Sequence, residues 1–75
     1  MNKGEHYYQA AGTLHGREWD IASEPRRTEA EAQADADSWL SWLSPRELAT
    51  ARTYTRRYLI LSVDASGQIT SARGA

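Results

Sequence analysis

The longest alternating pattern in the chain runs from Thr53 to Val63, as TYTRRYLILSV. Successive side chains of a strand point to opposite faces, so Leu59, Leu61 and Val63 share one side. Tyr54, Arg56, Tyr58 and Ile60 share the other. A small sheet under a single helix is expected to bury one face only, and the Leu59/Leu61/Val63 side is the natural core. Tyr54, Arg56, Tyr58 and Ile60 would then face water or a partner.

The remaining elements follow from the same kind of pattern. Residues 5 to 23 predict a β-hairpin, with Tyr7 and Tyr8 in the first arm and Trp19 and Ile21 alternating with Glu18, Asp20 and Ala22 in the second. Gly12 and Gly16 bracket Thr13-Leu14-His15, which places the turn there, with Gly16 supplying a positive φ. Pro25 lacks a backbone donor and ends the pairing. Thr28-Glu29-Ala30-Glu31 has the spacing of a capping box. A helix is expected from about residue 29 to 43, with Ala32, Ala36, Trp39, Leu40 and Leu43 on its apolar stripe and Trp42 at the margin. Trp19 is expected to pack beneath this helix. Ser44-Pro45-Arg46-Glu47 is a second helix start, for a short turn from about 45 to 51 anchored by Leu48. Asp64-Ala65-Ser66-Gly67 reads as a turn and Gln68 to Ala72 as a last short strand.

The predicted order is β-β-α-(short α)-β-β. Its simplest assembly is an α+β fold, a four-stranded, mostly antiparallel sheet with the main helix packed on one face. The pairing order of the strands stays open. Residues 1–75 form one domain, with 1–4 and 72–75 expected to fray.

Composition narrows the picture. Leu, Ile and Val total ten and Phe is absent, so three Trp and four Tyr must supply much of the packing area. There is no Cys, which excludes disulfides and thiolate metal sites. No apolar run approaches the length of a membrane span, and the polar start, Met1 to His6, lacks the apolar core of a signal peptide. A cytoplasmic protein without membrane contact is the expectation. Net charge is −1, yet its distribution is uneven. Glu29, Glu31, Asp35 and Asp37 crowd the start of the helix, whereas Arg46, Arg52, Arg56 and Arg57 face Glu47 alone.

Little here resembles catalytic machinery. The chain has no nucleophile elbow and no phosphate-binding loop. His6 and His15 stand nine positions apart without ligand spacing. The expectation is a protein that is not an enzyme and takes no metal or cofactor. Carboxylates two apart on a helix do not face each other, so Glu29/Glu31 and Asp35/Asp37 cannot act as acid–base pairs. They read as a solvated, dipole-matched surface, or as an acidic patch meeting a basic partner.

The face of Tyr54, Arg56, Tyr58 and Ile60 fits three uses: a protein interface, a homodimer interface among them; a stacking platform for single-stranded nucleic acid; or plain cross-strand packing. Tyr and Arg favour the first, because both are enriched where proteins grip other macromolecules. The nucleic-acid alternative would recruit Arg26, Arg27, Arg56 and Arg57. It is disfavoured by the near-neutral charge, since such binders carry a basic footprint. Trp42 could be an exposed anchor.

Two resemblances bear on this reading. From Gly16 to Leu40 the chain resembles the hairpin-then-helix of the arm-type DNA-binding domains of phage integrases, through Thr28 and Glu31-Ala32 at the helix start. Glu18 and Asp20 occupy the strand that is basic in that family. In size, lack of Cys and split charge the whole chain is similar in type to small phage and mobile-element inhibitors such as anti-CRISPR proteins, with no shared motif. That resemblance implies a non-enzymatic binder that occludes a host protein or nucleoprotein complex, with Glu29, Glu31, Asp35 and Asp37 able to meet a basic cleft.

Overall fold

A computed structural model describes all residues, 1–75. The chain folds as an α+β domain with the elements β1 (His6–Leu14), β2 (Arg17–Trp19), α1 (Glu29–Ser41), α2 (Pro45–Leu48), β3 (Arg52–Val63) and β4 (Ile69–Gly74). The sheet is antiparallel throughout, in the order β2-β1-β3-β4. No helix is long and apolar enough to cross a membrane.

β1 and β2 are joined by His15 and Gly16 at φ 53° and 77°. Two consecutive left-handed residues make the tight turn that matches the twist of a hairpin. The turn is therefore shorter than the Gly12–Gly16 bracket suggests, and Gly12 lies inside β1. Its role is close approach. A Cβ placed there would sit 3.0 Å from a Trp39 ring carbon and 3.2 Å from the Arg52 carbonyl oxygen. Trp39 thus rests on a strand position that has no side chain.

That contact identifies the face α1 covers. Gly12 pairs with Thr53 and Ala10 with Thr55, and paired residues share a face. The Thr55 hydroxyl donates to Glu29 of α1 at 3.0 Å. Ala10, Gly12 and Leu14 are buried beneath the helix, whose Ala32 and Ala36 are fully buried. Small residues on both surfaces let helix and sheet pack closely. Trp39, Leu40 and Leu43 close the flank half-buried. Thr28 caps the helix by accepting from the Glu31 N–H, and the helix stops at Ser41. α2 opens on a complete capping box between Ser44 and Glu47. Leu48, the expected anchor, is largely exposed.

The face away from the helix is not wholly solvated. Tyr7 and Tyr58 stack there with ring centroids 5.0 Å apart and planes 16° from parallel. Tyr7 is buried, and Ile60, next in line on β3, is 1% exposed. The Ile60 backbone is pinned by both neighbours of its strand end: its N–H donates to the Glu5 carbonyl and its carbonyl accepts from Gly4. Ala72 of β4 lies across from it. The sheet therefore buries apolar groups on both faces, beneath α1 at one end and around the Tyr7–Tyr58 stack at the other.

This corrects the expected core. Leu59 and Val63 are half-buried, and Leu61 is 38% exposed. Beyond Ile60 the pairing with β4 shifts register, and such a bulge breaks the strict alternation on which the expectation relied. Trp19 is also displaced from its expected place: it is 53% exposed, at the end of the three-residue edge strand β2. The two ends expected to fray are hydrogen-bonded to β3, Gly4 to Ile60 and Ala75 to the Arg57 carbonyl.

Candidate functional site

Tyr54 and Arg56 stand on the face of β3 opposite α1, and neighbouring strands bring partners to them. Tyr54 lies across from Ala11, and Arg56 from Gln9. Thr13 pairs with Glu18 of β2, which puts the Glu18 carboxylate on the same face. The Arg56 guanidinium donates to the Tyr54 hydroxyl at 2.7 Å and to Glu18 at 3.0 Å. Its central carbon lies 5.3 Å from the Tyr54 ring centroid, within cation–π range. Tyr58, Tyr54 and Glu18, in that order, hold this guanidinium above its ordinary pKa. The ion pair is surface-exposed and adds little to stability. Its consequence is geometric, because it fixes a long side chain in one orientation. Beside it lies a shallow depression of 130 Å³ lined by Gln9, Ala11, Glu18, Trp19, Tyr54 and Arg56 among others.

Of the four residues expected on this surface, Tyr54 and Arg56 are exposed, Tyr58 is half-buried and Ile60 is inside. Ile60 is therefore not a docking residue. Its face is as expected, but it is 1% exposed, with Gly4 and Glu5 bonded to its backbone and Ala72 across from it. Glu18 was legible in the sequence as an acid on the second hairpin strand. Its meeting with Arg56 depends on the order β2-β1-β3, which no local pattern encodes.

The acidic residues of α1 do not converge on one patch. Asp35 takes a two-pronged contact from Arg26, at 2.9 and 3.0 Å, and a further hydrogen bond from the Ser23 hydroxyl at 2.9 Å. Arg26 foremost, with help from Ser23, holds the Asp35 carboxyl below its ordinary pKa. The pair ties the Ser23–Arg26 segment to the helix, and the Ser23 hydroxyl also accepts from the Ala10 N–H. Glu31 accepts from Thr28, Glu29 from Thr55 and Asp37 from Gln33.

The basic residues are equally divided. Arg26 is neutralised by Asp35 and Arg56 by Glu18. Arg57 lies across from Tyr8, on the helix side, and donates to His6 at 3.2 Å. Arg56 and Arg57 thus occupy opposite faces. Arg27 is exposed. His6 and His15 are at opposite ends of β1, and His15 meets the Thr50 hydroxyl at 3.0 Å.

Trp42 is 85% exposed at the C-cap of α1. With Trp39, Ile21, Ala22, Asp35 and Ser38 it borders a groove of 260 Å³. This apolar edge lies on the helix side of the sheet, apart from Tyr54 and Arg56. The largest cleft, 460 Å³, is elsewhere and is lined by Met1, Glu24, Pro25, Gly67, Gln68 and Ile69.

Comparison with protein-family models, with curated proteins and with solved structures finds no match to this chain.

Proposed function

We propose that this chain is a non-enzymatic protein-binding module that acts as an inhibitor of the phage or mobile-element type, covering a working surface of a host nucleoprotein complex. The observation that carries the binding role is the Tyr54–Arg56–Glu18 arrangement. It exposes an aromatic ring and a guanidinium already held in place by hydrogen bonds. Tyr and Arg dominate binding energy at interfaces, and side chains fixed beforehand lose less entropy on docking. The inhibitor role rests on the resemblance of type described above.

The nucleic-acid alternative draws less support. Two of its four guanidiniums are engaged by carboxylates, and Arg57 points away from Arg56.

The test is capture from a bacterial lysate with tagged chain, followed by mass spectrometry. The parent is expected to retain a defined protein that Tyr54→Ala/Arg56→Ala loses while melting within a few degrees of the parent. Retention of the same protein by the double variant would remove this face as the interface. Nucleic acid in place of protein, lost steeply as salt rises, would establish the alternative.

A further inference from the structure

The outer edge of β1 is interrupted in its middle. β2 ends at Trp19, opposite Gly12, and backbone pairing along that edge resumes only where Tyr8 meets Arg26. Successive residues of a paired strand turn their N–H and C=O groups to opposite sides. Tyr8 exchanges both of its bonds with Arg26 on the outer side, each at 2.7 Å, so Ala10 turns its own two groups outward, into the gap. The Ala10 N–H donates to the Ser23 hydroxyl at 3.0 Å. The Ala10 carbonyl receives no hydrogen bond from the protein, although the residue is only 9% exposed. A buried acceptor left without a donor is uncommon and costly. The connecting residues do not supply one. Ala22 turns the chain there at φ 54°, and its N–H is engaged by the Asp20 carboxylate at 2.8 Å.

The 130 Å³ depression beside Tyr54 reaches this gap, since Ala10 and Asp20 line it together with Gln9 and Glu18. Its polar groups are acceptors with capacity left over. Glu18 uses one carboxylate oxygen on Arg56, and Asp20 uses one on the Ala22 N–H. The Gln9 amide nitrogen is engaged by the Ser23 carbonyl at 3.0 Å, which leaves its oxygen. Arg56 is the single cation in the lining, against two carboxylates, and it is already paired with Glu18. Asp20 has no ion-pair partner. These groups select the occupant. An anion would meet Glu18 and Asp20 as like charges. An apolar group would cover Asp20 and the Ala10 carbonyl without bringing a donor to either. A cationic donor satisfies both, and Tyr54 offers an aromatic wall to an apolar stem.

We infer that this depression seats a basic side chain, Arg or Lys, presented by the surface of a partner protein. Its N–H groups would meet the remaining oxygens of Asp20 and Glu18 and the Ala10 carbonyl, and its methylene stem would lie against Tyr54. The inference rests on the protein-binding reading and names the chemistry by which that surface recognises its partner.

The test is an NMR titration of the labelled chain with a capped pentapeptide, Gly-Gly-Arg-Gly-Gly. Its comparators carry Lys, citrulline or Glu in place of Arg; citrulline keeps the shape of Arg and removes the charge. The Arg and Lys peptides are expected to shift the amides of Glu18, Asp20 and Tyr54 at millimolar concentration, and the citrulline and Glu peptides to leave them unmoved. Asp20→Lys is expected to exchange the preference from the Arg peptide to the Glu peptide, because like charges then face the guanidinium. Should that variant not fold, Ala11→Leu fills the depression without changing its charge, and is expected to weaken the Arg peptide about tenfold or more. No shift with millimolar Arg and Lys peptides, or equal shifts with the citrulline peptide, would overturn the inference. So would unaltered binding by Ala11→Leu, a single-stranded oligonucleotide moving the same amides, or a free chain that sediments as a dimer until Asp20 is replaced. Full lysate capture by Asp20→Lys together with loss by Tyr54→Ala/Arg56→Ala would overturn the seat for a basic side chain and leave the protein-binding reading standing.

Discussion

Replacing Gly12 by Ala probes the seat of the helix on the sheet. The added methyl group would lie 3.0 and 3.2 Å from two carbons of the Trp39 ring and 3.2 Å from the Arg52 carbonyl oxygen. Ordinary contact begins near 3.5 Å, so each neighbour must yield by several tenths of an ångström. The carbonyl belongs to β3 where it pairs with β1 and has little freedom. Trp39 is half-exposed and can move, but only by lifting away from the strand it covers. Overpacking of this kind costs about 1–3 kcal/mol. Against it stands about 0.5–1 kcal/mol gained when Ala replaces Gly within a strand. The net is a loss between about 0 and 2.5 kcal/mol, centred near 1 kcal/mol, or a melting temperature lower by roughly 4–8 °C at that centre in a domain this small. Thermal melts followed by far-UV circular dichroism give the value. The same substitution made in a Trp39→Ala background should cost less than in the parent, by about 1 kcal/mol, since the ring is gone. Higher stability of Gly12→Ala in the parent, or an equal cost in the Trp39→Ala background, would show that the Trp39 ring does not seat on Gly12.

Three further outcomes follow from the packing. Ile60→Ala should destabilise by about 2–5 kcal/mol in denaturant titrations, because the side chain is fully enclosed, whereas Leu61→Ala should cost less than about 1 kcal/mol; the reverse ranking would restore the core predicted from the alternation alone. Asp35 has its folded pKa lowered, first by Arg26, so its contribution is present above the unfolded value of about 4 and is lost as pH falls below it. Melting temperature should therefore drop between about pH 4 and pH 2, with a shallower drop in Asp35→Asn; identical slopes would show that the Arg26 contact contributes nothing. Ser44→Ala removes the cap on the Glu47 N–H and should cost about 0.5–2 kcal/mol, read by the same melts.

How much of this was legible in the sequence depended on the range of the interaction. Thr28 and Ser44 mark their helix starts because capping acts over three residues. Ala32 and Ala36 declare the buried stripe of α1 by their spacing. The faces of Tyr54, Arg56, Tyr58 and Ile60 follow from parity, and the structure keeps them together. What parity could not give is depth. Ile60 is buried where Gly4, Glu5 and Ala72, all distant in sequence, meet its strand, and Leu61 is exposed where the pairing with β4 slips. Gly12 reads locally as a turn signal, and its actual role appears only once Trp39 is placed over it. The meeting of Arg56 with Glu18 depends on strand order. That order is set by long-range pairing, which no local spacing records.

On the proposed reading β3 is divided: Tyr58 and Ile60 hold the fold, while Tyr54 and Arg56 are the residues a partner would meet. Amide chemical-shift mapping of the labelled chain with its captured partner tests this most directly. The footprint is expected on Glu18, Tyr54, Arg56 and their immediate neighbours. A footprint centred on Trp42 and Ile21, or on the exposed side of α1 at Glu31 and Asp37, would contradict it.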